Sequence, residues 1–144
     1  MTRKQIGIGA SVIVGAIALL IIGDMLIVTD EERIEALVDS LAGPVDANKI
    51  DAILTWTNPE VQPVEVNAYG RTELFRDAES LKERARSGAL VYQGQDLKLI
   101  SSGVTIEGDV AQVTFRLFGQ GFVDGEATLL KRGDDWWISR AYIH

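Results

Sequence analysis

An apolar run near the start of the chain constrains it more than any other feature. Residues Ile6 to Gly23 form 18 consecutive positions without a charge, and the run continues to Val28, 23 positions in all, with Asp24 as its one interruption. As helices these stretches measure roughly 27 and 34 Å, which brackets a bilayer hydrocarbon core of roughly 30 Å. Ten of the 18 residues are Ile, Leu or Val. Together they favour insertion by about 3 to 6 kcal/mol, whereas Asp24 costs up to about 3 kcal/mol at mid-bilayer and less at the interface. A single span over residues 6–28 is therefore expected, with the lipid bilayer as a partner. Arg3 and Lys4 precede the run, while Asp24, Asp30, Glu31 and Glu32 lie at or beyond its far end. The positive-inside bias then keeps the N-terminus in the cytoplasm and puts the C-terminal domain in the periplasm or outside the cell. The rival is a cleaved signal peptide, whose apolar centre runs about 7 to 15 residues before a small-x-small site, and Asp24-Met25-Leu26 offers no such site. Gly7, Ser11 and Gly15 fall at i, i+4 and i+8, either a seam for a second membrane helix or small residues of a kind common in such helices.

Residues 29–144 remain for a folded domain, enough to bury one apolar core. The 144-residue chain has no cysteine and one histidine, His144. Disulfides, thiolate zinc sites, cysteine nucleophiles, serine-histidine triads and multi-histidine metal centres are thereby excluded. With 14 bases against 21 acids the net charge is −7, a poor match for a phosphate backbone, so no nucleic-acid partner is expected. Nothing calls for a cofactor or a metal. Glu31, Glu35 and Asp39 share a helix face but lack the convergent loop oxygens of a calcium site, and read as a solvated face. Arg132-Gly133-Asp134 sits where a hairpin needs turn residues.

Thr29 and Glu32 have the form of a capping box, opening a helix in which Ile34, Leu37, Val38 and Leu41 repeat at helical spacing before Gly43-Pro44 stops it. Asp46 caps a second helix with Ile50, Ile53 and Leu54 on one side, ending before Asn58-Pro59. Pro59 to Pro63 reads as loop, and Val64, Val66 and Ala68 then alternate with Glu65, Asn67 and Tyr69 as a short strand. Asp77 caps a third helix through about Arg86, with Gly88 as its stop. From there the period becomes two. Strands are expected over about Leu97–Ile106, Val110–Phe118, Glu126–Lys131 and Trp136–Ile143, with turns at Glu107-Gly108-Asp109 and Arg132-Gly133-Asp134-Asp135, so the sheet is an antiparallel meander.

Helices first and a meander last is an α+β order, with three helices packed on one face of a curved antiparallel sheet behind an N-terminal transmembrane helix. The order over residues 29–143 resembles the nuclear transport factor 2-like superfamily, the cone fold of SnoaL-like and ketosteroid isomerase-like proteins. Gly133-Asp134-Asp135-Trp136-Trp137-Ile138 looks like its Gly-x-Trp-x-Ile ending, with one extra residue between Gly133 and Trp136. The resemblance implies a cone whose interior carries the chemistry in the enzymes, an aspartate base with a tyrosine and a second acid in the isomerases. This chain departs from that pattern, since its first two helices contain no tyrosine and its histidine is terminal.

The expectation is therefore binding and assembly rather than catalysis, by a domain that forms homo-oligomers or joins other membrane-complex subunits. Strict alternation on the last strand puts Trp136, Ile138, Arg140 and Tyr142 on one side and Trp137, Ser139, Ala141 and Ile143 on the other. Taking Trp136 and Tyr142 as outward, an interface patch would comprise them with Leu130, Phe118, Arg116 and Arg140. The alternative function is a small apolar ligand binder, or as a lesser alternative a lyase or isomerase, using the cone as a pocket with Trp56, Tyr69 and Tyr92 at its mouth.

Overall fold

The computed structural model describes residues 29–144; the expected span, with Gly7, Ser11 and Gly15, lies outside them. No helix among the described residues is long and apolar enough to cross a membrane. The capping box forms as written. Thr29 N donates to Glu32 Oε2 and Glu32 N to Thr29 Oγ1, both at 3.2 Å. Helix α1 runs Asp30–Asp39 and buries Ile34, Leu37 and Val38. It is shorter than its apolar spacing suggests, because the backbone turns at Ser40–Leu41. Gly43, at φ +100°, does more than end the helix: Gly43–Pro44 forms a two-residue strand β1 against Asp96 and Leu97.

Asp46 caps α2, Ala47–Leu54, accepting from Lys49 N at 2.8 Å. Strand β2, Val64–Ala68, follows as expected. Strand β3, Arg71–Phe75, was not anticipated. It pairs antiparallel with β2 through a two-residue turn, Tyr69 at φ +53° and Gly70 at φ +81°, the left-handed pair that a tight hairpin requires. Asp77 caps α3, Ala78–Ala89, and Gly88 lies inside that helix instead of ending it. A 3₁₀ turn, Leu90–Tyr92, leads into β4, Asp96–Glu107, then β5, Val110–Phe118, β6, Phe122–Arg132, and β7, Asp135–Ile143.

The sheet order is β1-β4-β5-β6-β7-β2-β3. The meander is antiparallel throughout, and β2 adds to β7 in parallel. One face is covered. Ile34, Leu37 and Val38 of α1 and Leu81 of α3 pack there against Val64, Phe75, Ala111, Val113, Leu129, Trp136 and Ile138.

A bulge corrects the reading of the last strand. Thr128 pairs with Arg140 and Leu129 with Ile138, so Ser139 is an extra residue on β7, its hydroxyl donating to Thr128 O at 3.1 Å. A bulged residue shifts the alternation by one. Trp136 and Ile138 therefore share the covered face with Ala141, which pairs with Ala127, whereas Trp137 opposite Leu130, Arg140 and Tyr142 take the open face. Trp136 is 2% exposed and belongs to the core. It is not an outward residue.

Candidate functional site

Two regions remain once the core is accounted for: the open face of the sheet, and a set of apolar pockets where α2, α3 and the 3₁₀ turn meet the covered face.

On the open face the register groups the side chains. Arg116 lies opposite Asp124, Phe118 opposite Phe122, and Val110 and Trp137 on either side of Leu130. Phe118 and Phe122 are 39% and 57% exposed, with ring centroids 4.9 Å apart. The Arg116 guanidinium lies 4.2 Å from the Phe122 centroid while its Nε meets Asp124 Oδ1 at 3.1 Å. Arg140 Nε donates to Glu65 Oε2 at 2.7 Å, and Thr128 bonds Gln112 at 2.9 Å between the two apolar ends. Of the interface residues anticipated from sequence, the fold brings Phe118, Leu130, Arg116, Arg140 and Tyr142 to this face, and Trp137 takes the place given to Trp136. Phe122 and Val110 went unnoticed, because both sit at strand ends beside turn residues.

The charge on this face differs from the rest of the molecule. Over the paired residues of β4 and β5, with β6, β7 and β2, it carries four bases (Lys98, Arg116, Arg132, Arg140) and five acids (Glu65, Glu107, Asp124, Glu126, Asp135), close to balance. Residues 29–144 as a whole carry 12 bases and 20 acids, a net −8, so most of the excess negative charge lies elsewhere.

Across the sheet, α3 separates two pockets, and its Ala85 and Gly88 line both. The pocket between α3 and the β2–β3 hairpin has a volume of about 280 Å³, with Val66, Phe75 and Leu81 among its apolar walls. The pocket on the α2 side, about 180 Å³, is lined by Ile50, Ile53, Leu97 and Leu117. A third, also about 180 Å³, lies by Val45, Ala47 and Ala89. Leu90, Val91 and Tyr92 of the 3₁₀ turn line one pocket each. Tyr69 and Tyr92 thus take pocket positions. Trp56 does not: it packs against the main core, and its carbonyl accepts from Ile138 N at 2.8 Å.

Among the described residues no polar or charged side chain is buried, and no group of three His, Asp or Glu is placed to hold a metal. Lys49, beside the α2-side pocket, spends its Nζ on the carbonyls of Ser40 and Ala42 at 2.7 and 2.5 Å. Asp77 is held below its ordinary carboxylate value, first by the Ser80 backbone N–H and then by the Ser80 hydroxyl, but it caps α3 and lines none of these pockets.

No model of a known protein family matches the chain, and no curated protein matches it. Solved structures do. A nuclear transport factor 2-like protein of unknown function from Pseudomonas putida superposes with a TM-score of 0.62 at 13% identity, over 78% of this chain and 84% of that one. A nuclear transport factor 2-like protein with a cystatin-like fold from Novosphingobium aromaticivorans gives 0.58 at 18% identity, over 85% and 86%. A de novo designed protein with a curved β-sheet gives 0.56 at 14%, over 81% and 99%. At such identities the likeness concerns backbone architecture and says nothing of activity: this chain has the nuclear transport factor 2-like, cystatin-like α+β fold, with three helices on a curved sheet.

Proposed function

We propose that the chain is a non-catalytic, membrane-anchored scaffold whose extracytoplasmic domain self-associates through the open face of its sheet within a membrane-associated complex. The observation that carries this reading is a nearly charge-balanced face, bearing Phe118, Phe122, Leu130 and Trp137, on an otherwise acidic molecule. Two copies of a net-negative chain repel, and the repulsion is smallest where the surface is neutral. There the aromatic and aliphatic side chains have apolar area to gain by contact, with Arg116 and Arg140 as polar surroundings. The anchor is the apolar run over residues 6–28, whose one charge is Asp24. Tethering raises the local concentration of the domain at the membrane, so a modest contact suffices to hold an assembly.

The test uses the full chain in mild detergent, with mass measured by light scattering across a concentration series. Dimers or larger species are expected. Phe122→Glu, at an exposed position, should return the protein to monomer with its melting temperature unchanged. A monomer at every concentration, recovered from membranes without neighbours, overturns the scaffold. The anchor is tested separately: release by carbonate, or a mature N-terminus beyond Met25, overturns it.

A further inference from the structure

The pocket between α3 and the β2–β3 hairpin has a composition that the scaffold reading does not use. Its walls are apolar, and its polar side chains are Tyr69, Arg84 and Ser87, two hydroxyls and a guanidinium, with no carboxylate among the lining residues. Acids outnumber bases 20 to 12 over residues 29–144, whereas here Arg84 is matched by Glu73, so the rim is locally charge-balanced and rich in donors. Arg84 is fixed at that rim. Its Nε donates to Glu73 Oε1 at 3.0 Å, and its NH1 lies 3.5 Å from the point where a Cβ on Gly88 would stand. The NH1–NH2 edge carries four further donors. Tyr69 is the one non-glycine residue with positive φ among the described residues, and that hairpin turn places it beside the pocket. Tyr69 and Val91 are 65% and 72% exposed, so the entrance itself is apolar surface.

We infer that this pocket binds the tail of a single-chain amphiphile with an anionic head group, the head resting on Arg84 with Tyr69 and Ser87 as neutral donors. Donor chemistry selects the head: Glu73 takes Nε of Arg84, and the NH1–NH2 edge, with no carboxylate among the lining residues, favours a carboxylate, sulfate or phosphate monoester over a cation. Volume selects the tail. An apolar cavity of about 150 Å³ holds one benzene ring, so about 280 Å³ takes a chain of roughly ten carbons. The site is independent of the open face, which lies on the other side of the sheet.

The experiment uses the full chain in nanodiscs of zwitterionic lipid, with empty nanodiscs as the blank. Decanoate, decanol and decyltrimethylammonium are titrated by calorimetry. Saturable binding in excess of the blank is expected for decanoate, weaker binding for decanol, and the weakest for the cation. Arg84→Gln, on a half-exposed side chain, should weaken decanoate about tenfold or more and leave decanol unchanged. Gly88→Leu should abolish binding of both by filling the space beside α3. Since Gly88 is helical, in the last turn of α3, its replacement does not strain the backbone and the melting temperature should hold. Equal affinity for the three head groups, unaltered decanoate binding in Arg84→Gln, or no signal beyond the blank each overturns the assignment, whatever the oligomeric state proves to be.

Discussion

Trp136 offers the sharpest test of the sheet's register. Its side chain is 2% exposed and its Nε1 is buried with no hydrogen-bond partner. A buried tryptophan removes about 150 to 250 Å² from water, and truncation of such a ring costs about 3 to 5 kcal/mol. Trp136→Ala should therefore consume a large share of the roughly 5 to 15 kcal/mol available to a domain of this size. Trp136→Phe differs in kind. It gives up about 1 to 2 kcal/mol of transfer and cavity terms, but it also removes an unsatisfied buried donor that costs about 1 to 3 kcal/mol. The two effects oppose each other at similar size, so Trp136→Phe should lie within about 1 kcal/mol of the wild type. Trp137→Ala, on the open face, should cost far less than Trp136→Ala. Urea unfolding followed by far-UV circular dichroism measures all three, and replacing Trp136 should remove more blue-shifted fluorescence than replacing Trp137. If Trp136→Phe is as damaging as Trp136→Ala, the indole N–H has a partner and the argument from its burial fails. If Trp137→Ala is the more damaging alanine variant, the bulge at Ser139 has been placed wrongly.

Gly125→Ala should destabilise by about 1 to 3 kcal/mol, because its Cβ would overlap Cζ of Phe115 and come within 2.6 Å of Cε2. In a Phe115→Leu background that penalty should largely vanish, a coupling that a thermal double-mutant cycle reads directly. The cap of α3 predicts an acid dependence. Asp77 has its folded pKa lowered from an ordinary 3.8 by hydrogen bonds from Ser80, so its contribution is complete above the unfolded value and is lost as pH falls through the folded one. Asp77→Asn keeps an acceptor for the Ser80 amide and should flatten that part of the stability profile; an unchanged profile would show that the ionised cap contributes nothing.

The caps were legible because their chemistry is local. Thr29 with Glu32, Asp46 and Asp77 each needs only the next three residues to form, and period-two alternation marked β4 to β7. What sequence did not show depends on partners far away or on single irregular residues. Strand β3, Arg-Thr-Glu-Leu-Phe, lies at the sheet edge and buries only Phe75, so its pattern carries little contrast; Tyr69-Gly70 was the available clue. Gly88 looks like a helix stop to a rule that awaits a left-handed residue, yet here it stays helical and becomes a pocket wall with Ala85. The three aromatics expected at a pocket mouth divide for a similar reason. Tyr69 and Tyr92 follow strand or helix ends, where a side chain reaches an opening, while Trp56 follows α2 and turns into the core. One extra residue at Ser139 decided which tryptophan faces outward, and no count of alternation within one strand reveals an insertion that only its neighbour defines.

The division of labour proposed here follows from how a single sheet is covered. Helices α1 and α3 shield one face with aliphatic side chains and leave room beside α3, while the opposite face keeps aromatic residues among matched charges. A pocket that turned over substrate would need an acid or base whose proton affinity burial or a neighbouring charge has moved toward neutrality. The one ionisable group besides the Tyr69 phenol lining the larger pocket is Arg84, and a guanidinium stays protonated in proteins. Such a group can hold an anion and cannot relay a proton. Retention of a ligand therefore suits this pocket better than reaction, and association suits the other face. If both proposals hold, a ligand seated beside α3 meets the sheet through Val66 and Phe75 on β2 and β3, and β2 is joined to β7 through Glu65 and Arg140. The two sites are read separately: Arg140→Gln, on the open face, should weaken self-association and leave decanoate affinity unchanged.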